Sequence, residues 1–331
     1  MFFKMRIGMK IKILITVSLI GFSFFQQGNA QKRRTPFEPY STVSVGLGTS
    51  NYYGDLAPYS TPIQSTFYMM RWNVGANYTR HFTPRLAARV GFAWARIASD
   101  DETLNRGGKP NSLNYVRNLH FRNDLKEFSL IGIFNLKADG RNGVRRADFM
   151  PYLFGGLAIV AHNPKAKTPE NFEKRTWVSL QPIGTEGQGQ PGYDKPYSLV
   201  TLAIPFGFGL KWKINDRFDF GAEAGFRFTF SDYLDDVSTK YADPAVLRNE
   251  LAQALSNRSL EEISARKLIN RKDAVRSILK LDPSADPFTE PIENYDVGDF
   301  RGNAQRKDAY LLGIFYLNYT LPGKVKCPPL R

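Results

Sequence analysis

The chain has 331 residues, with 45 Lys and Arg against 31 Asp and Glu for a formal charge of +14, and it is 42% hydrophobic and 14% aromatic with 27 glycines. Its mean hydropathy is -0.35, and no apolar run after the N-terminus is long enough to cross a bilayer as a helix, which excludes a helical membrane protein. The single cysteine, Cys327, excludes an internal disulfide framework and is most simply a free thiol.

Residues 1–30 read as a secretory signal peptide: Lys4, Arg6, Lys10 and Lys12 precede the apolar stretch from Ile13 to Phe25, and Gly28 and Ala30 suit cleavage. The apolar run, roughly 13 residues, falls short of the ~20 that a membrane anchor needs. Cleavage after Ala30 removes four cations from +14 and leaves +10, and no cysteine at the cleavage point calls for a lipid. An exported basic chain meets lipopolysaccharide phosphates or acidic proteins, and no nucleic acid. A polar arm follows over residues 31–41 and carries Lys32, Arg33 and Arg34.

The first strand points Val43, Val45 and Leu47 outward and breaks in the turn Asn51-Tyr52-Tyr53-Gly54-Asp55-Leu56. The second carries Tyr68, Met70, Trp72, Val74, Ala76 and Tyr78 on one face and Arg71, Asn73, Gly75 and Asn77 on the other. Tyr68 and Tyr78 lie ten residues apart, about 25 Å on a tilted strand, the height of an apolar band between aromatic girdles. A turn at His81 to Arg85 leads to Leu86, Ala88, Val90, Phe92 and Trp94, backed by Arg89, Gly91 and Ala93. A polar loop from Ser99 to about Asn118 precedes a strand with Phe128, Leu130, Phe134 and Leu136 against Glu127, Ser129 and Asn135, where inward Ile131 and Ile133 break the pattern. After Asp139, Gly140, Asn142 and Gly143 the next strand has its apolar positions at Tyr152, Phe154, Ala158 and Val160, and a second long loop runs from Asn163 to about Tyr197.

Residues 200–230 alternate most strictly. Val200, Leu202, Ile204, Phe206, Phe208, Leu210 and Trp212 share one face, as do Phe218, Phe220, Ala222, Ala224, Phe226, Phe228 and Phe230, with Asp219, Glu223 and Arg227 behind. A final strand from Tyr310 ends at Pro322-Gly323. The pattern specifies an all-β, transmembrane antiparallel β-barrel of about eight strands over residues 42–321, with short turns on one side, long loops on the other, both termini periplasmic, and a periplasmic tail over 322–331. Tyr68, Trp72, Tyr78, Trp94 and Trp212 are the expected interface aromatics. At this size side chains just fill the lumen, so inward Arg71, Arg89 and Arg227 are expected to pair with Glu127, Asp219 and Glu223, and a pore is not expected.

The long extracellular loop 231–305 is expected to be partly helical over 243–282. Asp243-Pro244 opens one helix with Leu247, Leu251 and Leu255, Ser259 and Glu262 form a capping box ahead of Ile263, and Val275, Ile278, Leu279 and Leu281 mark another. Such a loop either closes the barrel or docks a partner, or it is a decoration that packs on its own loops. His81, His120 and His162 fit no metal-ligand pattern, and the order of Asp232, Asp235 and Asp236 fits no calcium loop, so no metal or cofactor is expected. His120, His162, Asp55 and Asp232 are the residues a rim enzyme would use, without a nucleophile motif to support it.

Asn51-Tyr52-Tyr53-Gly54-Asp55-Leu56, Pro151-Tyr152-Leu153-Phe154-Gly155-Gly156, the stretch Leu180 to Gly189, Ile204-Pro205-Phe206-Gly207 and Asp232 to Ser238 together make the chain similar to the PorG-type outer-membrane barrels of Bacteroidota, from about Thr42 to Tyr241 and again near Ala309. That resemblance implies a non-enzymatic component of the type IX protein secretion system. Such a barrel anchors the periplasmic ring of a lipoprotein and its partner subunit to the outer membrane, and in gliding species it supports motility. Lys32, Arg33, Arg34, Lys324, Lys326 and Arg331 are then the candidate contacts to the ring. An autonomous structural or adhesive barrel and a lipid-modifying rim enzyme are the alternatives.

Overall fold

A computed structural model describes residues 37–57, 66–105, 112–172 and 174–322. The expected signal peptide, the arm cations Lys32, Arg33 and Arg34, and the tail with Lys324, Lys326, Cys327 and Arg331 lie outside the described residues.

The strands, in chain order, are β1 (Tyr40–Tyr53), β2 (Arg71–His81), β3 (Leu86–Asp100), β4 (His120–Asn135), β5 (Phe149–Ala161), β6 (Lys165–Lys167), β7 (Trp177–Ser179), β8 (Val200–Lys213), β9 (Phe218–Thr229) and β10 (Ala309–Thr320). Eight of the ten close a circle of antiparallel neighbours, β1-β2-β3-β4-β5-β8-β9-β10, sealed where β1 meets β10 from Thr42↔Thr320 to Tyr53↔Ala309. β6 and β7 form a short hairpin that continues off β4 at one end. Closure removes every free sheet edge from the wall, which is what a strand structure needs inside lipid.

Alternation builds that wall. On β8 Val200, Leu202, Ile204, Phe206 and Phe208 point outward and are 41–58% exposed, while Ala203 behind them is buried. Val45 and Leu47 on β1, Val74 on β2, Val90 and Phe92 on β3, Phe128 and Leu130 on β4, and Phe315 and Leu317 on β10 continue the apolar belt around the barrel. A belt this apolar and continuous, exposed on a closed barrel, is a lipid-facing surface. Trp72 and Trp94 meet edge to face at 5.2 Å near its upper margin, and Trp212 lies with Phe149 and Phe220 near the lower one. Tyr68 is exposed but sits in a helical turn ahead of β2, so Tyr68 and Tyr78 do not bracket one strand as their spacing suggests.

Two further expectations change, at β1 and β5, and a third, at β4, holds. β1 continues through Asn51, Tyr52 and Tyr53, all buried, so the expected break comes at Gly54. On β5 Tyr152, Phe154, Ala158 and Val160 face the lumen and Leu153, Leu157 and Ile159 face out. Inward Ile131 and Ile133 pack with Ala87, Tyr152 and Phe154 as an apolar layer inside the barrel. Glycines opposite make room for it: Tyr152 pairs with Gly209 and Phe154 with Gly207, and a Cβ on Gly209 would run into the Tyr152 ring.

Turns of four to thirteen residues (82–85, 136–148 and 214–217) lie at one end with residues 37–39 and 321–322. The described parts of the long connections 54–70, 101–119, 162–199 and 230–308 gather at the other. They contain α1 (Asp101–Asn105), α2 (Ser112–Arg117), α3 (Glu250–Ser256) and α4 (Lys272–Leu279). Asp243 caps only a 3-10 turn, Pro244–Val246, and α3 starts afresh at its own cap, Asn249, whose side chain accepts from Ala252 N. The expected capping box does not form: the Ser259 hydroxyl donates to Asn257 Oδ1, and Glu262 Oε1 accepts from Asn270 Nδ2.

If the exposed band faces lipid, an arginine at its centre costs about 2–4 kcal/mol. Phe208→Arg should lower the unfolding free energy in vesicles by that order, while Phe300→Arg, in the loop cap at 77% exposure, should leave it unchanged. Denaturant titration followed by tryptophan fluorescence measures both.

Candidate functional site

The lumen is filled by layers of paired charge. Nearest the short turns, Arg146 from the β4–β5 turn reaches into the barrel, places Nε 2.7 Å from Asp219, and donates to the carbonyls of Asp216 and Asn215. Above it Arg89 lies 2.6 Å from Glu223, whose carboxylate also accepts from the Tyr152 hydroxyl. Higher still Arg227 pairs with Glu127 at 3.2 Å, and the Tyr310 hydroxyl donates to the same carboxylate at 2.7 Å. These six side chains are each at most 10% exposed, and each charge has an opposite partner, with hydroxyl donors added at Glu223 and Glu127, as burial requires.

The pairing scheme expected from the sequence is thus corrected at two residues. Asp219 is held by a turn arginine rather than by a strand one. Arg71 is not in the lumen: at the first residue of β2 it is half-buried at the rim, and Nη1 donates to Met70 O at 2.7 Å.

The long loops close the mouth above this column. Tyr52 donates to Asp235 at 2.6 Å and lies 2.7 Å from Asp308; Leu234 enters the top of the barrel, where its carbonyl accepts from Asn123 Nδ2 at 2.7 Å. Leu234 and Val237 pack with Tyr52, Leu56, Ile97, Phe121 and Leu125. Glu186 accepts from Ser238 N and Thr239 N, Thr185 donates to Asp236 at 2.5 Å, and Arg301 joins Glu186 at 3.0 Å to the backbone of Ser256. Arg117 clamps Asp101 with two hydrogen bonds and donates to the carbonyls of Arg301 and Asp55. A cavity of about 10 Å³ lined by Leu56, His120, Asp235, Val237, Leu255 and Arg301 remains between mouth and cap, the room of about one water.

The motif stretches Asn51–Leu56, Leu180–Gly189 and Asp232–Ser238, far apart in sequence, therefore meet in one buried network. The outer part of the insertion packs on neighbouring loops: Val275, Ile292 and Tyr295 with Tyr115, Val116 and Tyr241, and Leu255 with Ala166 and Leu180. Arg271, fully buried, hydrogen-bonds the carbonyls of Tyr115, Ser259 and Glu261. It ties the insertion to α2, and nothing in its sequence neighbourhood marks it.

The residues of the rim-enzyme reading divide. His120 Nε2 accepts from Lys167 N at 2.9 Å and its ring meets Trp177, while His162 stacks on Tyr197. Asp55 accepts from Asn303 N, and Asp232 from Ser238 Oγ at 2.7 Å. Among the described residues no group of three His, Cys, Asp or Glu side chains is placed to hold a metal ion.

Burial first, and then neighbouring carboxylates, push Asp235 and Asp308 well above the usual carboxylate range. Burial pushes Asp232 up to about 7, and Asp236 to about 6 against the pull of Arg301. His162 is pushed down to about 4, by burial.

The model of a family described as a domain of unknown function (DUF6089) matches residues 36–175. No curated protein matches the chain. Solved structures similar to it include Neisserial surface protein A, at 6% identity over 85% of this chain and 97% of that one with a TM-score of 0.36. A major outer membrane protein from Thermus thermophilus is 10% identical over 85% and 99%, with a TM-score of 0.35. The attachment invasion locus protein Ail of Yersinia pestis is 10% identical over 86% and 100%, with a TM-score of 0.33.

Because folding raises the cap carboxyls, the folded loops hold more protons than unfolded ones from about pH 4 to pH 7, and stability falls as pH rises through that window. His162 has the opposite sign, weakening the cap only below about pH 6.5. Limited proteolysis within 230–308 should therefore be slower at about pH 6.5 than at about pH 8, and Asp232→Asn should flatten the difference. Faster cleavage at the lower pH would contradict the protonated cap.

Proposed function

We propose that this chain is a non-catalytic outer-membrane barrel of a type IX protein secretion machinery, with its short-turn end in the periplasm, where it anchors the ring of lipoprotein and partner subunit. The observation that carries the reading is the convergence of three of the five motif stretches: Asn51–Leu56, Leu180–Gly189 and Asp232–Ser238, among those that make the chain similar to PorG-type barrels, lock the long loops over a filled lumen. A barrel so plugged suits a scaffold held in the membrane and not a conduit.

The short-turn end supplies a matching surface. Arg85, Lys137, Arg141, Arg145 and Arg217 are exposed there. Of the acids among them, Glu38 is already paired with Arg141 and Asp216 with Lys213. An acidic ring face would meet excess positive charge, which speeds and orients association more than it strengthens it. The arm and tail cations are further candidate contacts to the ring, and outer-membrane lipid with lipopolysaccharide would surround the belt.

Affinity purification of the tagged full chain from a mild-detergent outer-membrane extract, read by mass spectrometry, tests this. The ring lipoprotein and its partner subunit should be recovered, and deletion of Lys324 to Arg331 should reduce their yield while the barrel keeps its heat-modifiable migration. A barrel recovered alone from membranes that contain the ring would overturn the anchoring role and favour an autonomous surface protein.

A further inference from the structure

β3 and β4 rise above the apolar belt, and their outward positions change character abruptly. On β4 Leu130 and Phe128 end the belt, and the next outward residues are Lys126, Asp124 and Arg122. Arg96 on β3 takes Asp124 in a two-pronged bond, Nε to Oδ1 at 2.6 Å and Nη2 to Oδ2 at 3.0 Å. The other cations are left over. Arg122 pairs in register with Lys165 of β6, so two like charges stand directly opposite each other on one face, an arrangement that is destabilising unless an anion lies between.

β6 and β7 enlarge the patch. Ala166 turns inward and is buried, which puts Lys165 and Lys167 outward, and Lys167 pairs with Trp177. The Arg122 guanidinium lies 4.3 Å from the Trp177 ring centre and the Lys167 ammonium 5.7 Å. Arg175 adds a fifth cation nearby, its Nη2 donating to Ala265 O, with Glu170 and Glu261 in its field. Neither Arg122 Nε nor Arg175 Nε has a hydrogen-bond partner among the described residues. Arg122, Lys126, Lys165 and Lys167 make no ion pair among the described residues. Burial, then Arg175, Arg266 and Arg122, push the Lys167 ammonium down, as cationic crowding does.

We propose that Arg122, Lys126, Lys165, Lys167 and Trp177 form a binding site for the phosphate groups of an anionic, phosphorylated membrane glycolipid whose acyl chains lie on the belt below. The height fits, because the cations begin where the belt stops, with Trp94 in register with Lys126 at the junction. The chemistry fits too. Guanidinium and ammonium groups around an indole bind phosphate oxygens with charge-assisted hydrogen bonds, and the ring holds the cations in place. The site deepens the lipid contact of the proposed function, and rests on its orientation only for naming the outer leaflet.

Native mass spectrometry of the full-length barrel, refolded and incubated separately with bisphosphorylated lipid A, phosphatidylethanolamine and inorganic pyrophosphate, tests it. The wild type should retain lipid A, and the combined change Arg122→Ser, Lys165→Ser and Lys167→Ser should cut that retention roughly tenfold. Phosphatidylethanolamine retention should not change, and the control Arg85→Ser, Lys137→Ser and Arg217→Ser at the opposite end should keep the wild-type preference. Rising salt should strip lipid A from the wild type, a readout independent of any variant's folding. Equal lipid A retention by wild type and triple variant, or absence of retention by both, would overturn the site. Pyrophosphate bound as tightly as lipid A would overturn the lipid assignment in favour of a free-anion site. Protease accessibility of the long loops on intact cells tests the orientation separately.

Discussion

The constraint on which this structure depends is that charge turned inward by a narrow, lipid-bounded barrel must be neutralised within the barrel. Water cannot fill a lumen of eight strands in any quantity, and an unpaired carboxylate or guanidinium there would cost several kcal/mol. Arg146 with Asp219, Arg89 with Glu223 and Arg227 with Glu127 meet that requirement in successive layers, and the Tyr152 and Tyr310 hydroxyls donate to Glu223 and Glu127. The same layers occupy the bore. Pairing that keeps the barrel folded therefore also fills the path a solute would take, and it gives the loops a finished surface to close upon.

Much of this was legible in the residues, for a physical reason. A strand with lipid on one side and a polar lumen on the other must alternate, and residues 200–212 and 218–229 do so on either side of their turn, as do Val43 to Leu47 and Leu86 to Trp94. Legibility failed where both faces are apolar. β5 carries Leu153 and Leu157 outward and Tyr152 and Phe154 inward, so its phase depends on Gly207 and Gly209 across the strand pair, which no local pattern reveals. It failed again where a partner arrives from a turn, as Arg146 does for Asp219. Helix signals in the insertion were real but local: Asp243 caps a single turn, and Ser259 and Glu262 found other partners once Asn257 and Asn270 came within reach.

The cap presents a different balance. Its buried groups come from four connections and include carboxyls that take up protons when folded, so its closure responds to conditions more readily than the ladder-bonded wall below it. Outside, the collar of Arg122, Lys126, Lys165 and Lys167 contrasts with the lumen: Arg89, Arg146 and Arg227 are matched by carboxylates, and these outward cations are in no ion pair among the described residues. Positive charge thus remains where the chain meets what surrounds it, on the collar and at the short-turn end.

The central claim, that the barrel is a sealed scaffold, is tested most directly by conductance across a planar bilayer into which the refolded full chain has been inserted. The filled lumen predicts a baseline without discrete current steps across a wide voltage range. Reproducible ohmic steps from the wild type would show an open path past Arg89, Glu127 and Glu223, and would contradict the account.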